Sequence, residues 1–600
     1  VLDDAALDAR LADLRTRLRR PGGPAAEARA DRVEAMAAIA VAADRTLGKR
    51  PYRVQMLAAL AMHEGLVVQM AAGEGKTLAV ALTGVLHGWR GRPCHVVTSN
   101  DYLAQRDVQL MAPLYGRCGV SATTVVHGMP TPALQAAYRA DLVYATSKQL
   151  LADHLCDHIA LAGAIDPTRR RIHELRAAPG AVRSRGLHTA IVDEADSVLV
   201  DEANTPLIIS APQPNPLLVQ AVLAARDVAD ELVLAQDYEI DAAFREIRFT
   251  DAGKARIEAM VDRLPAVWHA PERRDDLIRQ ALSARDLFQL DRHYVIQEGK
   301  IEILDENTGR VMPGRSWSYG LHQAIEARQG LAITHPSKTM ARMSFQEFFR
   351  HYHHVGGASG TLQDIRAELW WTYGLLTVVV PTRLPSRLVV PAPRHHADGA
   401  AKWADLVGEV ERLHRQGAPV LVGTRRLSDS EALQQRLVAR GLACVVLNAK
   451  QSAQEAEVVA QAGVPGQITV ATNMAGRGTD IHIQAEVAAA GGLHVLMLEP
   501  HESARVDWQL FGRAGRQGQR GHAQPFVALD DDLLQRHLPN WLAPLIGVLA
   551  GSAALRGLLV PALIRWAQGR AHRRAFEQRR QLQQREGDLK KQLSFADASS

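Results

Sequence analysis

The sequence predicts an α/β protein with two parallel-sheet lobes, the first of which is interrupted by an inserted domain. Short apolar runs such as 95–98, 141–144 and 189–192 alternate with helical patterns, as in a parallel sheet covered on both faces. A chain of 600 residues is too long for one hydrophobic core, so several domains are expected. A second α/β series follows Thr361, with predicted strands at 378–380, 420–422, 444–447, 468–471 and 494–498.

Composition narrows the class of protein. The net charge of +5 is compatible with acidic lipid or nucleic acid and selects neither. Four cysteines occur without any C-x-x-C pair, which disfavours a disulfide framework and a cysteine zinc site, so no zinc is predicted and a reduced cytosolic setting fits. No basic segment followed by an apolar stretch opens the sequence, so no signal peptide is expected.

Two motifs of the first lobe predict an ATP site. In 73–77, Gly-Glu-Gly-Lys-Thr, the glycines let backbone N–H groups face phosphate oxygens. A structural glycine turn would explain the glycines but not the Lys-Thr pair. Asp193 and Glu194 end a buried strand, where the first acid can hold Mg²⁺ and the second can activate the attacking water. We therefore predict ATP and Mg²⁺ as cofactors, with Lys76 and Glu194 catalytic and Thr77 and Asp193 at the metal.

The spacing of the next motif indicates an insertion. In motors of the helicase type, a Ser-x-Thr linker motif follows the second acidic motif after a few tens of residues. Here the best candidate, 359–361, begins 163 residues after Asp196. The predicted segments are N-terminal helices with the first nucleotide-binding lobe at 1–212, an inserted domain at 213–340, a return to the first lobe at 341–385, a second lobe at 386–533 and a helical C-terminus at 534–600.

Arginines of the second lobe are candidates for completing the site. Arg477, Arg513 and Arg516 lie in glycine-rich loops that follow predicted strands. Such arginines can reach phosphates held by the other lobe, and an arginine finger contributes roughly 10³–10⁵ in rate. A single arginine in such a loop is most often simply solvated. Gln55, upstream of the glycine loop, is placed to read the adenine edge, although an isolated glutamine is usually a surface residue.

The C-terminal region combines an apolar stretch with a basic one. Residues 541–566 are uncharged except for Arg556 and Arg565, and Pro561 argues against a spanning helix. A buried helical hairpin is the favoured interpretation, and a helix lying on a membrane surface is the alternative. Residues 565–591 predict a basic helix, interpreted as a solvated helix packed on the motor and not as a nucleic-acid site.

Several ordered blocks of the sequence resemble the SecA family, the ATPases that drive preproteins through the bacterial membrane channel. The blocks are 100–107, 193–210, 305–310, 320–327, 471–481 and 501–518. The resemblance implies two RecA-like lobes of the superfamily 2 helicase type and identifies 213–340 as a preprotein cross-linking domain. It also implies nucleotide contacts at Gln55, at Gly73, Glu74, Gly75, Lys76 and Thr77, and at Asp480, with Arg477 as the arginine finger.

The same resemblance carries expectations about partners. These are unfolded preproteins, the Sec membrane channel and an anionic membrane surface, with a homodimer or a full-length SecA as further candidates. The expected location is the cytoplasmic face of the cell membrane. The helical wing, two-helix finger and zinc tail of the family are not recognisable after Leu534, so a short form with a truncated helical C-terminus is expected. The 541–566 segment is a candidate replacement for part of that apparatus.

Two other functions compete with the translocation motor. A DEAD-type RNA or DNA helicase would show nucleic-acid-stimulated turnover, but the inserted domain and its sequence blocks argue against it, so nucleic acid is not an expected partner. A remnant that binds a channel or client and hydrolyses ATP slowly is the third interpretation. The presence of every required ATP-site residue argues against complete loss of hydrolysis.

Overall fold

The computed structural model describes residues 3–19, 25–161, 172, 182–212, 214–241, 246–290, 293–297, 299–304, 311–312, 317, 320–335, 337–447, 459, 461–472, 481–542, 548–549 and 551–597. Two predicted site residues, Arg477 and Asp480, lie outside these ranges, as does the 305–310 block. The chain divides into two compact units. One consists of Val1–Leu207 with Arg342–Ser600, and the other is Ile208–Ala341.

A seven-stranded parallel sheet organises the first lobe. From edge to edge its strands are Thr377–Val379, Val67–Gln69, His354–Ser359, Thr189–Asp193, Cys94–Thr98, Leu142–Thr146 and Ala122–Thr124. The central strands are buried on both faces, which is why they are apolar without alternation. The helices of this lobe are Asp4–Arg19, Ala25–Leu47, Arg53–His63, Lys76–Gly88, Asp101–Arg117, Thr131–Ala137, Ser147–Ala160, Phe345–Arg350 and Arg366–Tyr373.

The strand predicted at 378–380 belongs to this first sheet and not to the second series. Val378 pairs in parallel with Val68, next to the phosphate loop. A three-residue apolar run has the same sequence pattern in either sheet, so the sequence could not show to which sheet this strand belongs. The chain therefore returns to the first lobe before the second lobe begins.

The second lobe is built on another parallel sheet. Its strands run in the order Arg387–Val389, Arg520–Ala528, Leu493–Met497, Val420–Thr424, Ile468–Thr472 and Val445–Leu447, and Arg394–His396 also pairs with Arg520–Ala528. Four of them agree with the strands predicted from apolar runs. The helices are Gly399–Arg415, Leu427–Val438, Ala485–Ala490, Ala504–Phe511, Asp532–His537 and Ala553–Asp597.

The unit Ile208–Ala341 has its own hydrophobic core, which includes Tyr238 and Ile278. Its helices are Pro216–Glu231, Asp251–Ala259, Pro271–Asp286 and Leu321–Arg328. Its antiparallel strands are Tyr238–Asp241 with Glu246–Phe249, and Tyr294–Gln297 with Lys300–Leu304 and Val311–Met312. The prolines at 206–216 suggested a plain linker, but Leu207–Pro212 is a strand that pairs with Ser337–Met343. Prolines at the ends of an edge strand leave its middle free to pair.

One long helix, Ala553–Asp597, spans most of the C-terminal region. It is named the C-terminal helix below. It runs through Pro561, so the buried hairpin predicted for 541–566 is wrong for 553–566. The helix begins early because its first turns pack on the second lobe, which offsets the backbone hydrogen bond lost at proline. Within the described ranges, no helix is long and apolar enough to cross a membrane.

Candidate ATP site between the two lobes

The phosphate loop connects the strand Val67–Gln69 to the buried helix Lys76–Gly88. Gly73 and Gly75 have φ angles of +82° and +80°, a left-handed conformation that glycine adopts without a Cβ penalty. The first N–H groups of a helix have no partner within the helix, and this arrangement favours an anion. Lys76 and Thr77 are the first two residues of the helix, so the loop and both side chains lie together as a candidate phosphate-binding unit.

Gln55 lies directly beneath this loop. Its Nε2 donates to the backbone oxygen of Glu74 at 2.9 Å, and its Oε1 accepts from the backbone nitrogen of Tyr52 at 2.9 Å. A Cβ on Gly75 would clash with Gln55 Nε2. In this arrangement Gln55 ties the first turn of its own helix to the phosphate loop, and its contact with adenine stays a prediction.

The two predicted acids lie at the carboxyl end of the neighbouring strand Thr189–Asp193. Lys76 Nζ donates to Glu194 Oε1 at 2.7 Å, and the Asp193 carboxylate accepts from the Glu194 backbone nitrogen at 2.9 Å. Glu194 has a φ of +50°, which a side chain other than glycine adopts at a cost of about 1–3 kcal/mol. Such strain is retained where the side chain must be aimed at a particular place.

The electrostatics of this group favour an additional cation. Burial first, and then the negative charge of Glu194, raise the pKa of Asp193 to about 7. Burial alone would lower the pKa of Lys76, but the adjacent carboxylates of Glu194 and Asp193 raise it instead. A single ammonium group thus faces two buried carboxylates. Asp193, whose negative charge is less well compensated, binds a proton readily.

Oxygen donors of this kind fit Mg²⁺. The Thr77 hydroxyl and the Asp193 carboxylate are hard ligands, and the raised pKa of Asp193 reflects a charge that a divalent cation would compensate. Among the described residues, no cluster of three or more His, Cys, Asp or Glu side chains is placed to hold a metal. Mg²⁺ usually keeps several waters and is bound by one or two protein oxygens together with substrate phosphates.

The Ser-x-Thr motif lies at the same carboxyl end of the sheet as the phosphate loop and the two acids. Its strand, His354–Ser359, lies between the phosphate-loop strand and the strand that ends in Asp193. Ser359 Oγ and Thr361 Oγ1 donate to the two oxygens of Asp196, at 2.5 and 2.8 Å. The residues separated by the insertion in sequence are therefore adjacent in space, and the fully buried Asp196 joins them.

Asp196 also receives two side chains from the second lobe. Arg505 Nη1 donates to it at 3.1 Å, and Gln509 Nε2 donates both to it and to Thr361 Oγ1. Arg505 additionally pairs with Asp201 through two hydrogen bonds, which raise the pKa of the guanidinium although burial opposes this. One carboxylate thus connects the acid motif, the Ser-x-Thr motif and the helix Ala504–Phe511.

The loop after that helix faces the phosphate loop. A Cβ on Gly73 would lie 2.7 Å from Arg516 Cβ, and a Cβ on Gly512 would lie 3.2 Å from Ala72 Cβ. Arg516 donates from Nε to the oxygen of Gly512 at 3.1 Å, and Arg513 lies in the same loop. Arg516 is therefore brought to the phosphate loop, whereas Arg477 and Asp480 are not among the described residues.

The chain segment that connects the two lobes contacts the first lobe beside the phosphate loop. The guanidinium of Arg383 stacks over the Tyr52 ring, 3.6 Å from its centroid, and the Arg383 backbone nitrogen donates to Glu74 Oε2 at 3.0 Å. The Glu74 carboxylate thus anchors the segment between the lobes. A ring with an exposed face next to a phosphate loop is suited to stacking on a base.

Sequence reasoning missed the linking residues of this site. Asp196 ended the acidic motif, and Arg505 and Gln509 lay in the block 501–518, but none of them was given a linking role. Tyr52 and Arg383 carried no motif of their own. Buried charge was the available signal for Arg505, since an arginine on the apolar side of a helical pattern requires acidic partners. Those partners, at 196 and 201, are distant in sequence.

Two family models match most of the chain. The SecA DEAD-like domain matches residues 1–370, and the SecA P-loop domain matches 395–487 and 482–549. The chain belongs to the SecA family. It is a P-loop ATPase of that family with two RecA-like parallel-sheet lobes, and the first lobe lies within the match to the DEAD-like domain.

Curated relatives agree over most of the chain. Protein translocase subunit SecA 2 of Chlorobium chlorochromatii is 46% identical over 571 residues, covering 94% of this chain and 86% of the relative. SecA 2 of Bordetella avium is 41% identical over 600 residues, covering 99% and 90%. Protein translocase subunit SecA of Syntrophus aciditrophicus is 40% identical over 504 residues, covering 84% of this chain but 58% of that relative.

Solved structures match at the level of fold only. Dbp5 of S. cerevisiae bound to RNA and ADP BeF3 is 13% identical, with a TM-score of 0.40, covering 82% of this chain and 87% of that chain. A likeness this distant carries no argument about function. The helicase alternative therefore gains nothing specific from it.

Proposed function

We propose that this SecA-family ATPase couples ATP hydrolysis to the movement of unfolded preproteins across the cytoplasmic membrane through the Sec channel. The observation that carries the proposal is 46% identity to a protein translocase subunit SecA 2 across 94% of the chain. The compact unit Ile208–Ala341 supports it, because this unit coincides with the segment expected to bind preprotein. The unit lies in the sequence between the strand that ends in Asp193 and the strand that ends in Ser359. On this proposal the protein acts at the cytoplasmic face of the membrane.

The site residues suggest how hydrolysis proceeds. ATP phosphates compete with Glu194 for Lys76, because the ammonium group cannot neutralise both. Once Lys76 turns to the phosphates, Glu194 is released to orient and deprotonate the attacking water. Mg²⁺, when bound at Thr77 and Asp193, supplies charge neutralisation for the phosphates. Arg516 and Arg513 approach the phosphates from the second lobe, and Arg477 is proposed as the arginine finger.

Contact between the lobes supports coupling of hydrolysis to motion. Ser359 and Thr361 bind the same carboxylate as Arg505 and Gln509, so a change at the acid motif reaches the second lobe directly. We propose that this network converts the state of the nucleotide into the position of the lobes, and that the inserted unit grips polypeptide in step with it.

Stimulated turnover tests the proposal. ATPase activity of the purified chain is measured alone, with an unfolded preprotein, and with channel-containing membrane vesicles. Stimulation by preprotein or channel in the wild type, together with ATP binding but stalled turnover in Glu194→Gln, is the expected result. Salt-sensitive stimulation by RNA without any effect of preprotein would support the helicase instead, and unchanged turnover in Glu194→Gln would remove Glu194 from its role.

A further inference from the structure

One stretch of the chain lacks acidic residues altogether. Between Asp532 and Glu577 the sequence contains no Asp or Glu, although the whole chain has 65 acids among 600 residues. The same stretch contains six arginines, at 536, 556, 565, 570, 573 and 574. A local charge this one-sided indicates attraction to a negatively charged partner.

The first turns of the C-terminal helix present an apolar face to solvent within this stretch. Leu558 is 72% exposed, and Leu555 and Trp566 are each 39% exposed. With Ala562 between them, these positions follow the spacing of three and four residues that defines one side of a helix. Just before the helix, Trp541 and Val548 are 75% and 59% exposed.

The opposite face of the helix is firmly packed. Val560, Ile564 and Ala567 are buried together with Leu533, Leu534 and Leu538 of the second lobe. The exposed side chains are therefore held on a fixed scaffold, and their exposure is not a consequence of a loosely attached helix. A scaffold of this kind keeps the apolar face turned outward.

The apolar side continues into a basic one. Arg570 and Arg573 follow Trp566 at the same helical spacing, and the Arg570 guanidinium lies 5.4 Å from the Trp566 ring centroid. Within the described part of the chain, no ion pair involves Arg565, Arg570, Arg573 or Arg574. Tryptophan at the boundary between an apolar and a cationic region is typical of side chains that lie at a membrane interface.

We propose that this face, formed by Trp541, Val548, Leu555, Leu558, Trp566 and the arginines 565, 570, 573 and 574, docks on the surface of an anionic lipid bilayer. It is named the docking face below. The apolar half of the face would lie at the level of the lipid head groups, and the arginines would contact the anionic lipids. A second copy of the chain fits less well, since a two-fold contact repeats the same face, and residues 533–576 bring no carboxylate to pair with the arginines.

The inference rests on the proposed membrane function and assigns it a contact surface. It also fixes an orientation, because a helix that packs on the second lobe along one side places that lobe against the lipid. The proposed contact is adsorption to the surface, with the apolar side chains at the level of the lipid head groups.

Vesicle flotation with the full chain tests the docking face. The probe is a vesicle of two parts phosphatidylcholine to one part phosphatidylglycerol, without channel protein, compared with pure phosphatidylcholine. One variant combines Leu558→Asp with Trp566→Ser, and a second combines Arg573→Glu with Arg574→Glu. Matched controls are Trp371→Ser, which removes a tryptophan that is 78% exposed elsewhere, and Arg139→Glu with Arg366→Glu.

The wild type should partition to the anionic vesicles about tenfold or more above the neutral ones, and each docking-face variant should lose about tenfold. Rising salt should weaken the wild type toward the level of the arginine variant. The controls should bind as the wild type does, and all variants should keep its melting temperature and its ATPase activity without vesicles.

Equal binding to both vesicle types, or equal losses in controls and docking-face variants, would overturn the inference. So would docking-face variants that change the oligomeric state in light scattering, or lose a protein partner, while vesicle binding stays intact. These outcomes are separate from the proposed function. Loss of preprotein stimulation with intact vesicle binding would count against the motor alone.

Discussion

Lys76 and Glu194 neutralise each other, and Asp193 is left as the carboxylate whose negative charge is least compensated. Its pKa of about 7 in the folded protein lies above the ordinary aspartate value of 3.8, so the folded state favours the proton. The stabilisation that this proton provides is complete below the unfolded pKa and disappears as the pH rises through 7. Binding of Mg²⁺ requires the opposite, an ionised Asp193.

We therefore expect the affinity for Mg²⁺-nucleotide to increase between about pH 6 and about pH 8, while the melting temperature of the nucleotide-free protein falls over the same range. Calorimetric titration and thermal melting measure the two trends. Asp193→Asn should flatten both contributions. A pH dependence of affinity that is the same in Asp193→Asn would assign the titration to another group.

Gly75 is a second position at which a small change is expected to alter nucleotide binding, here the addition of one methyl group. In Gly75→Ala, the new methyl group would meet both a φ of +80° and the Gln55 amide, so the loop must shift. We expect nucleotide affinity to fall about tenfold or more, since backbone donors would leave the phosphate positions. Fluorescent-nucleotide titration gives the measurement. Gly128→Ala has nearly the same φ and open space around the Cβ, so it should bind nucleotide normally.

At the scale of elements, the C-terminal helix connects the two lobes. Arg579 makes a bidentate pair with Glu368 of the first lobe, at 2.6 and 2.9 Å. Gln568 donates to the His501 backbone oxygen and to Asp507 of the second lobe, at 3.0 and 2.8 Å. Eleven residues of helix separate the two anchors, a rise of about 16 Å, so the helix fixes the spacing of the lobes at this side.

Removing one anchor should loosen the helix. Arg579→Leu leaves Glu368 buried without its cation, and breaking a buried pair typically costs about 3–5 kcal/mol. Hydrogen exchange should show faster exchange across 572–588, together with a lower melting temperature. Arg580→Leu, at an exposed neighbouring position, is the control and should leave both unchanged. Equal protection in the two variants would contradict the anchoring role.

Elements were predictable from sequence where local pattern decided them. The sheet strands and the phosphate loop follow from apolar runs and from Lys-Thr after glycine. The helix predicted over 565–591 is confirmed, but its first turns, 553–564, and the strand Leu207–Pro212 did not follow, because Pro561 and Pro212 are unfavourable locally and only distant packing or pairing offsets them. The ion pair of Arg505 with Asp196 was likewise invisible, since its partners come from different lobes.

At the scale of the whole molecule, Asp196 is the junction between the lobes. Its two oxygens receive donors from the Ser-x-Thr motif and from the helix Ala504–Phe511. Loss of one donor from the second lobe leaves the phosphate loop intact. Binding and turnover should therefore separate when that donor is removed.

In Gln509→Ala we expect ATP affinity to change less than threefold and kcat to fall by about tenfold or more, because an interaction that aligns the lobes contributes mainly in the closed state. Steady-state kinetics and nucleotide titration give the two quantities. Gln535→Ala, an exposed glutamine of the same lobe, is the control. A rise in KM with an unchanged kcat would show that Gln509 serves binding alone.

The insertion leaves the first sheet after Asp193 and returns in the strand that begins at His354, and these two strands are direct neighbours in register. Hydrogen bonds between them hold the sheet whatever lies in the loop. The crossover between them can therefore carry a long inserted segment while the two strands keep their pairing. Because these strands bear Asp193 and Ser359, we expect a pull on the inserted segment to act close to the residues of the ATP site.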